Sequence, residues 1–263
     1  MTLPLLQIDA LRLQLSGCDI LNGISMAIER GEYVSIIGPN GAGKTTLMKC
    51  IAGLHRKWSG SITLHGHPLS SYGAKARARI LSYVPQAEGR MIPLRVEEFV
   101  ALGRYPYGSA FASMTSEDRE AIETALQQSG LMELRHRTLN TLSGGERQMA
   151  FIAAALAQQA QLLLLDEPST FLDYRHQVGI TRLLERVRRE LGITIIAVHH
   201  DINTAAASSS RIYALREGML AFEGTPGEVL DTEVLQRIYG TAFALVPSPH
   251  RAAMPYAVAG GLP

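Results

Sequence analysis

The fold is decided by eight consecutive residues, Gly38-Pro39-Asn40-Gly41-Ala42-Gly43-Lys44-Thr45, which carry the full G-x-x-x-x-G-K-[ST] pattern. The apolar residues Tyr33–Ile37 before them predict a buried strand, and 45–54 after them have apolar residues at helical spacing. Glycines in such a turn let backbone N–H groups point inward around phosphate oxygens. The stretch, with Thr46 just beyond it, therefore predicts a phosphate-binding loop (P-loop). We expect Lys44 to reach the β- and γ-phosphates of a nucleotide and the Thr45 hydroxyl to ligate Mg²⁺.

A second informative stretch is the apolar run Leu162 to Leu165, which ends in the carboxylates Asp166 and Glu167. A buried strand presents its last residues at the sheet edge where α/β proteins bind ligands. We expect Asp166 to hold Mg²⁺ through water and Glu167 to polarise an attacking water molecule, as a general base does. Between this pair and the phosphate loop lies Leu142-Ser143-Gly144-Gly145-Glu146, a turn followed by a helical pattern.

The three stretches in this order resemble the ATP-binding cassette (ABC) ATPases, and the resemblance covers nearly the whole chain. It implies that the chain hydrolyses ATP as one half of a two-chain site. In that family, the residues matching Ser143, Gly144 and Gly145 meet the γ-phosphate held by the other chain. ATP then joins two cassettes and hydrolysis releases them.

Further single residues match the family by their order and spacing. Gln86, after Val84-Pro85, resembles the residue that senses Mg²⁺ and the membrane partner. His200 resembles the switch histidine that contacts the γ-phosphate, with His199 as the alternative. Asp173 resembles the aspartate at the dimer seam.

Strands that alternate with helical patterns predict a parallel-sheet α/β core. Combined with the resemblance, the fold class is α/β: a P-loop NTPase with a RecA-like core, an N-terminal antiparallel β region and an inserted helical subdomain. We expect one ABC ATPase domain over 1–263, with the core at 1–87 and 143–225, the helical subdomain at 88–142 and a C-terminal extension at 226–263. Residues 6–28 predict an antiparallel hairpin region with turn-like breaks at Ser16-Gly17 and Asn22-Gly23. For the tail from Pro247, disorder and a small dimer contact fit equally well.

The composition narrows the partners. With 25 Lys and Arg against 24 Asp and Glu, the chain lacks the basic surface that nucleic-acid binding needs. Neither a signal peptide nor an apolar span of roughly 18 residues is present, so we expect a cytosolic protein unless a membrane partner recruits it. We expect Cys18 and Cys50 to be buried free thiols. His65-Gly66-His67 predicts a turn rather than a metal site.

The chain departs from the family in two places. Many cassettes stack an aromatic ring on adenine at the position of Leu15. Here Leu15 would bury against the adenine ring, which gives modest base selectivity. We therefore expect ATP to be preferred over GTP by less than about a hundredfold. The helix after Gly145 has Met149 and Ala154 where similar cassettes usually have arginines. The contacts of this helix with its neighbours are therefore expected to differ.

Residues 101–107, Asp173–Gln177 and His200–Asn203 are similar to cassettes of importers for ferric siderophores, haem and cobalamin. This resemblance implies a homodimer on the cytoplasmic face of a dimeric integral-membrane permease, with an extracytoplasmic binding protein that delivers the cargo. The choice among these cargoes stays open. The rivals are a soluble ABC ATPase of DNA repair or translation, an exporter subunit, and a P-loop kinase with an accidental Ser-Gly-Gly turn.

Overall fold

The computed structural model describes residues 3–86, 91–108, 113–170, 172–248 and 254–260. In chain order its first elements are β1 (Leu6–Leu15), β2 (Cys18–Ile28), β3 (Tyr33–Ile37), α1 (Lys44–Ile51), β4 (Ser59–Leu64), β5 (His67–Pro68), α2 (Ala74–Ala78), β6 (Leu81–Val84), α3 (Val96–Ala101), α4 (Ser116–Gln128) and α5 (Gly144–Ala157). The others are β7 (Leu162–Asp166), α6 (Tyr174–Leu191), β8 (Thr194–Val198), α7 (Ile202–Ser208), β9 (Arg211–Arg216), β10 (Met219–Gly224), α8 (Pro226–Val229), α9 (Thr232–Tyr239), β11 (Phe243–Val246) and β12 (Tyr256–Ala259). The chain divides into two compact units, 1–69 with 195–263 and 70–194.

The N-terminal hairpin is confirmed: β1 and β2 pair antiparallel from Leu6 opposite Ile28 to Leu15 opposite Cys18. The predicted break at Asn22-Gly23 is a bulge and not a turn: Asn22 pairs with Arg12 and Ile24 pairs with Leu11, which leaves Gly23, with φ 82°, out of the register. Strand β4 pairs antiparallel with the other edge of β1, and β5 pairs with β4. Between β4 and β5, His65 and Gly66 both have positive φ, which confirms the predicted turn.

Parallel strands form the centre of the first unit. All five residues of β3 are buried, and β3 pairs parallel with β8 on one side and β9 on the other. Strand β10 then adds antiparallel to β9. The phosphate loop and the residues after β8 therefore leave the sheet at the same edge, where the carboxyl ends of parallel strands lie together.

In the second unit, β6 and β7 pair parallel, from Leu81 opposite Leu162 to Val84 opposite Leu165. The helices α2 to α6 complete this unit. One buried cation joins three of its segments: Arg104 donates from Nε to Asp118 Oδ1 at 2.8 Å and from Nη1 to the carbonyl oxygen of Ala157 at 2.8 Å. This arginine anchors the segment after α3 to both α4 and α5.

The C-terminal extension is ordered where the structure describes it. Helix α9 is followed by a hairpin in which β11 and β12 pair antiparallel, with Leu245 opposite Ala257. The Asn203 side chain at the start of α7 extends this pairing, because its amide donates to the Ala257 carbonyl at 3.0 Å and accepts from the Ala257 N–H at 2.8 Å. Disorder is therefore the wrong prediction for residues 256–259, because long-range strand pairing orders them. The predicted dimer contact of the tail stays a prediction.

Two other expectations meet the structure. Both cysteines are free, as predicted, but Cys18 is exposed at the start of β2, so the prediction that both are buried is wrong for it. Within the described ranges, no helix is both long and apolar enough to span a bilayer.

Candidate functional site

The phosphate loop occupies the turn between β3 and α1, as predicted. Gly38 has φ 138°, and a Cβ atom placed there would lie 2.0 Å from the carbonyl oxygen of Leu215. Only glycine satisfies both the backbone conformation and this close approach. Lys44 is buried and lies back along its own loop, with Nζ donating to the carbonyl oxygens of Gly38 and Pro39 at 2.8 and 2.9 Å. The ammonium group is thus held at the loop that would surround the phosphates.

Helix α1 begins without a side-chain cap, because its N-cap residue is Gly43 in a left-handed conformation. Its first turn also lacks an acidic residue. The first N–H groups of a helix have no partner within the helix, and the helix dipole adds positive potential at that end. This helix start is therefore suited to an anion such as a phosphate group.

Leu15 lies at the end of β1, half-buried, beside the turn of the N-terminal hairpin. The same hairpin approaches the phosphate loop. A Cβ atom at Gly43 would lie 2.9 Å from both the carbonyl oxygen of Ile20 and Cδ2 of Leu21. The start of β2 therefore packs against the loop, which is the region where the sequence places the nucleotide base.

The two histidines after β8 have different surroundings. His199 is buried, its ring stacks on Tyr33 with the centroids 6.4 Å apart, and burial lowers its pKa to about 4 because the charged ring is desolvated. His200 is exposed. Because β8 is parallel to β3, His200 lies just beyond the sheet edge at which the phosphate loop also begins. The geometry favours His200 over His199 for contact with a ligand, because the ring of His199 is packed in the core.

The first carboxylate of the acidic pair, Asp166, is almost wholly buried at the end of β7. Tyr83, on the neighbouring strand β6, donates its hydroxyl to Asp166 Oδ2 at 3.1 Å. Burial raises the pKa of Tyr83, and the carboxylate beside it adds to the rise. The phenol therefore remains a donor at neutral pH and fixes the orientation of Asp166.

The second carboxylate, Glu167, is held by two donors. Gln86 Nε2 lies 3.1 Å and Thr170 Oγ1 lies 3.3 Å from the same oxygen, Glu167 Oε2. Glu167 also has φ 54°, a left-handed conformation that costs a residue other than glycine about 1–2 kcal/mol. Such a conformation persists where surrounding contacts impose it. The turn after β7 thus directs this side chain toward Gln86, in the segment that follows β6.

Ser143, Gly144 and Gly145, which match the family, lie at the start of helix α5. Ser143 is its N-cap: its Oγ accepts from the Glu146 N–H at 3.3 Å, and the Glu146 carboxylate accepts from the Ser143 N–H at 2.8 Å. The bond from the Ser143 N–H, and then one that the Ser143 hydroxyl donates to the same carboxylate at 2.9 Å, lower the pKa of Glu146. Ser143 and Gly144 are exposed, whereas Gly145 is buried against the ring of His176. The helix start is therefore exposed at Ser143 and Gly144, whereas Gly145, the second residue of the helix, is packed inward.

Asp173 is exposed and caps α6, where its carboxylate accepts from the His176 N–H at 2.9 Å. The His176 ring donates from Nδ1 to the same carboxylate, at 2.8 Å to Oδ2. The backbone bond and then the ring bond lower the pKa of Asp173.

The two predicted departures from the family, Met149 and Ala154, lie on α5. The Met149 side chain packs 3.5 Å from the Cβ position of Gly179, and the Ala154 carbonyl oxygen would lie 2.2 Å from a Cβ at Gly103.

The structure therefore brings Gln86 to Glu167 and adds three residues that the sequence analysis missed: Tyr83, Thr170 and His176. Each lies within three residues of a residue that the sequence analysis names. Tyr83 lies in the strand before Gln86, Thr170 follows Glu167, and His176 follows Asp173. The available signal was a pair of hydroxyl-bearing residues, Ser82 and Tyr83, inside the short strand Leu81–Val84. Among the described residues, no three His, Cys, Asp or Glu side chains cluster as a metal site would.

Comparison with known proteins places these motifs in context. The sequence model described as ABC transporter matches residues 21–170. The ferric enterobactin transport ATP-binding protein FepC of Escherichia coli (strain K12) is 38% identical over 230 residues, which is 88% of this chain and 85% of that protein. The petrobactin import ATP-binding protein FpuC of Bacillus anthracis is 42% identical over 220 residues, which is 84% of this chain and 81% of that protein.

Solved structures agree with the sequence comparisons. The chain is similar to the dimeric, post-hydrolysis structure of the ATP-binding cassette MJ0796 bound to ADP and Pi, with a TM-score of 0.74 and 28% identity. The match covers 84% of this chain and 98% of that cassette.

Proposed function

The chain belongs to the ABC transporter family, and we propose that it is the ATP-hydrolysing subunit of an importer for an iron chelate. Its enzymatic activity is that of the family: it is an ATPase. The observation that carries the assignment of the catalytic residue is the position of Glu167, at the end of a buried strand and held by Gln86 and Thr170. The family alone does not select that residue, and this position supports the choice of Glu167.

We assign the binding of the ATP phosphates to the loop Gly38–Thr45, with Thr46. The loop fits the group on three counts: the approach at Gly38 excludes a side chain, Gly43 leaves the α1 start uncapped, and Lys44 is held beside the loop carbonyls. A phosphate oxygen would draw Lys44 Nζ away from those carbonyls, because an ionised acceptor is the stronger partner. Leu15, at the hairpin that packs on the loop, would cover the adenine ring.

We assign the Mg²⁺ that accompanies ATP to oxygen ligands, namely the hydroxyl of Thr45, the side-chain oxygen of Gln86 and, through water, the carboxylate of Asp166. The fit rests on chemistry, because Mg²⁺ prefers hard oxygen ligands and keeps several waters. When bound, the ion neutralises phosphate charge that develops during hydrolysis. Tyr83 keeps the Asp166 carboxylate in one orientation for this purpose.

We assign the proton of the attacking water to Glu167, which accepts it as general base. The donors from Gln86 and Thr170 hold one of its oxygens, so the side chain is oriented before the nucleotide arrives. The ring of His200 then contacts the γ-phosphate. General-base assistance is typically worth about 10²–10⁴ in rate, so we expect Glu167→Gln to slow hydrolysis by that factor while ATP still binds.

A second copy of the chain would complete the site. We propose that Ser143, Gly144 and Gly145 at the start of α5 meet the γ-phosphate held by the other copy, with Asp173 at the seam. The exposure of Ser143, Gly144 and Asp173 supports this assignment, as does the dimeric cassette to which the chain is similar. ATP binding would close the pair and hydrolysis would reopen it, which biases a two-state element as a switch requires.

The transport role comes from the relatives, whose names specify ferric enterobactin transport and petrobactin import. We propose a ferric siderophore as the cargo, with haem and cobalamin as alternatives, and a permease dimer as the membrane partner. The chain would then lie on the cytoplasmic face of the membrane and receive cargo indirectly from an extracytoplasmic binding protein. The near-balanced charge argues against a nucleic-acid partner.

The test is co-purification from native membranes with a tagged Glu167→Gln chain, with Mg-ATP and with no nucleotide. The proposal predicts a stoichiometric membrane protein with many spans in the Mg-ATP sample, identified by mass spectrometry. That permease can then be tested for uptake of each iron chelate. Recovery of only soluble proteins, ribosomes or DNA would refute the transport role and leave the ATPase assignment in place.

A further inference from the structure

The ring of His176 lies between two segments that the proposed function places at the dimer seam. We propose that His176 is a positioning residue that joins Asp173 to the start of helix α5, so that both segments move together. The inference rests on the proposed function for its role in ATP-driven dimerisation. Its structural part, the bridge itself, stands on contacts within a single copy.

The first side of the bridge is the packing of Gly145 on the imidazole ring. A Cβ atom at Gly145 would lie 2.1 Å from His176 Cγ, 2.2 Å from Cδ2 and 2.6 Å from Nδ1. Atoms that are not bonded do not approach so closely, so any side chain at 145 displaces the ring. The adjacent Gly144 differs, because a Cβ there would lie 3.8 Å from Leu172 Cδ2, an ordinary contact distance. The requirement for glycine at 145 therefore comes from His176.

The second side of the bridge is the carboxylate of Asp173. His176 donates to it twice, from its backbone N–H at 2.9 Å and from Nδ1 at 2.8 Å to Oδ2 and 2.9 Å to Oδ1. A carboxylate can only accept, so Nδ1 carries the proton. Two donors from one residue fix the ring relative to the carboxylate, and hydrogen bonds to a charged group are the stronger kind. The ring plane is thereby held where it meets Gly145.

The bridge has a mechanical consequence. Asp173 is the N-cap of α6, and Gly145 lies in the first turn of α5. A displacement of the Asp173 segment carries the ring with it, and the ring in turn pushes on or withdraws from α5 at Gly145. Contact of either segment with a second copy would then bias the position of the other.

The test is a double-mutant cycle of Gly145→Ala and His176→Ala in the Glu167→Gln background, with dimerisation in Mg-ATP measured by analytical ultracentrifugation. Each single change should weaken the dimer by about tenfold, because Gly145→Ala displaces the ring and His176→Ala releases Asp173. The double variant should be no weaker than His176→Ala alone, since the added methyl group then has no ring to displace. His176→Asn should retain most of the affinity, because its amide still donates to Asp173.

Two matched controls accompany the cycle. His136 makes a comparable exposed contact, from Nδ1 to Glu97 Oε1 at 2.9 Å, so His136→Ala should leave the dimer unchanged. Thermal unfolding of each variant separates loss of fold from loss of dimerisation. In that assay Gly145→Ala should lower the unfolding midpoint, whereas Gly144→Ala should not. Adding His176→Ala to the Gly145→Ala chain should restore the midpoint.

Two results would overturn the bridge: losses that multiply in the double variant, or an unchanged dimer in His176→Ala. Failure of the proposed function has a different signature. There the Glu167→Gln parent itself stays monomeric in Mg-ATP, while the thermal cycle still reports whether His176 and Gly145 are coupled.

Discussion

At the scale of single residues, the two carboxylates at and just after the end of β7 are positioned by side chains from the paired strand β6 and the segment after it. Tyr83 lies in β6 and donates to Asp166, and Gln86 lies two residues beyond β6 and donates to Glu167. The parallel pairing of Val84 with Leu165 sets this correspondence, because each strand then delivers its last residues at the same height. Each carboxylate thus accepts a hydrogen bond from a side chain on or just after the neighbouring strand, and this bond helps to orient it.

Tyr83→Phe removes the donor to Asp166 while it keeps the shape of the ring. We expect the factor by which Mg²⁺ increases the affinity for the nucleotide to fall by about tenfold or more, as is typical when a hydrogen-bond partner of a metal ligand is removed. ATP affinity without the metal should not change, because Asp166 is assigned to Mg²⁺ rather than to the phosphates. Titration of a fluorescent ATP analogue with and without Mg²⁺ measures both quantities. Equal losses with and without the ion would show that Tyr83 supports the fold and not the metal ligand.

At the scale of elements, the loop between β3 and α1 contains glycines that are required for different reasons. At Gly38 the backbone of Leu215 leaves no room for a Cβ, whereas at Gly41 nothing lies within 4 Å of that position. Both residues have positive φ, 138° and 80°. Gly38 is therefore required by packing as well as by its backbone conformation, and Gly41 only by its backbone conformation.

This difference predicts unequal losses of stability. Gly41→Ala should lower the free energy of unfolding by about 1–2 kcal/mol, the cost of a left-handed conformation. Gly38→Ala should cost more than about 3 kcal/mol, because the methyl group meets backbone that cannot rotate away. Urea denaturation of the two variants gives the comparison, and equal losses would disprove the close approach at Leu215.

The elements themselves could largely be predicted from the sequence. The strands β3 and β7 are short apolar runs next to glycines or carboxylates, and the phosphate loop adds a pattern with a definite backbone requirement. The contacts between elements could not be predicted, because they depend on register. Asn22 stays in a strand although Asn-Gly favours a turn, since it pairs with Arg12. Residues 256–259 lack periodicity, yet they pair with β11 and with Asn203.

At the scale of the whole molecule, folding places a titratable group in the core. Burial lowers the pKa of His199 to about 4, against about 6.5 in an unfolded chain. Between these values the unfolded chain binds a proton that the folded chain does not, so stability falls as the pH falls from about 6.5 to about 4. The loss from this one group amounts to at most about 3 kcal/mol.

The unfolding midpoint should therefore fall more steeply with acidification in the natural chain than in His199→Phe, which has no ring to protonate. If the curves of His199→Phe and of the natural chain are parallel, the pKa of His199 does not differ between the folded and unfolded states.

The central claim is that two copies of this chain bind ATP between them. Glu167 is the general base for the hydrolysis of that ATP, and hydrolysis separates the copies. The most direct measurement is sedimentation of the Glu167→Gln chain without nucleotide, with Mg-ADP and with Mg-ATP. We predict a monomer in the first two conditions and a dimer in the third, because ATP binds but is hydrolysed about 10²–10⁴ times more slowly. A chain that binds Mg-ATP and yet remains monomeric would contradict the account.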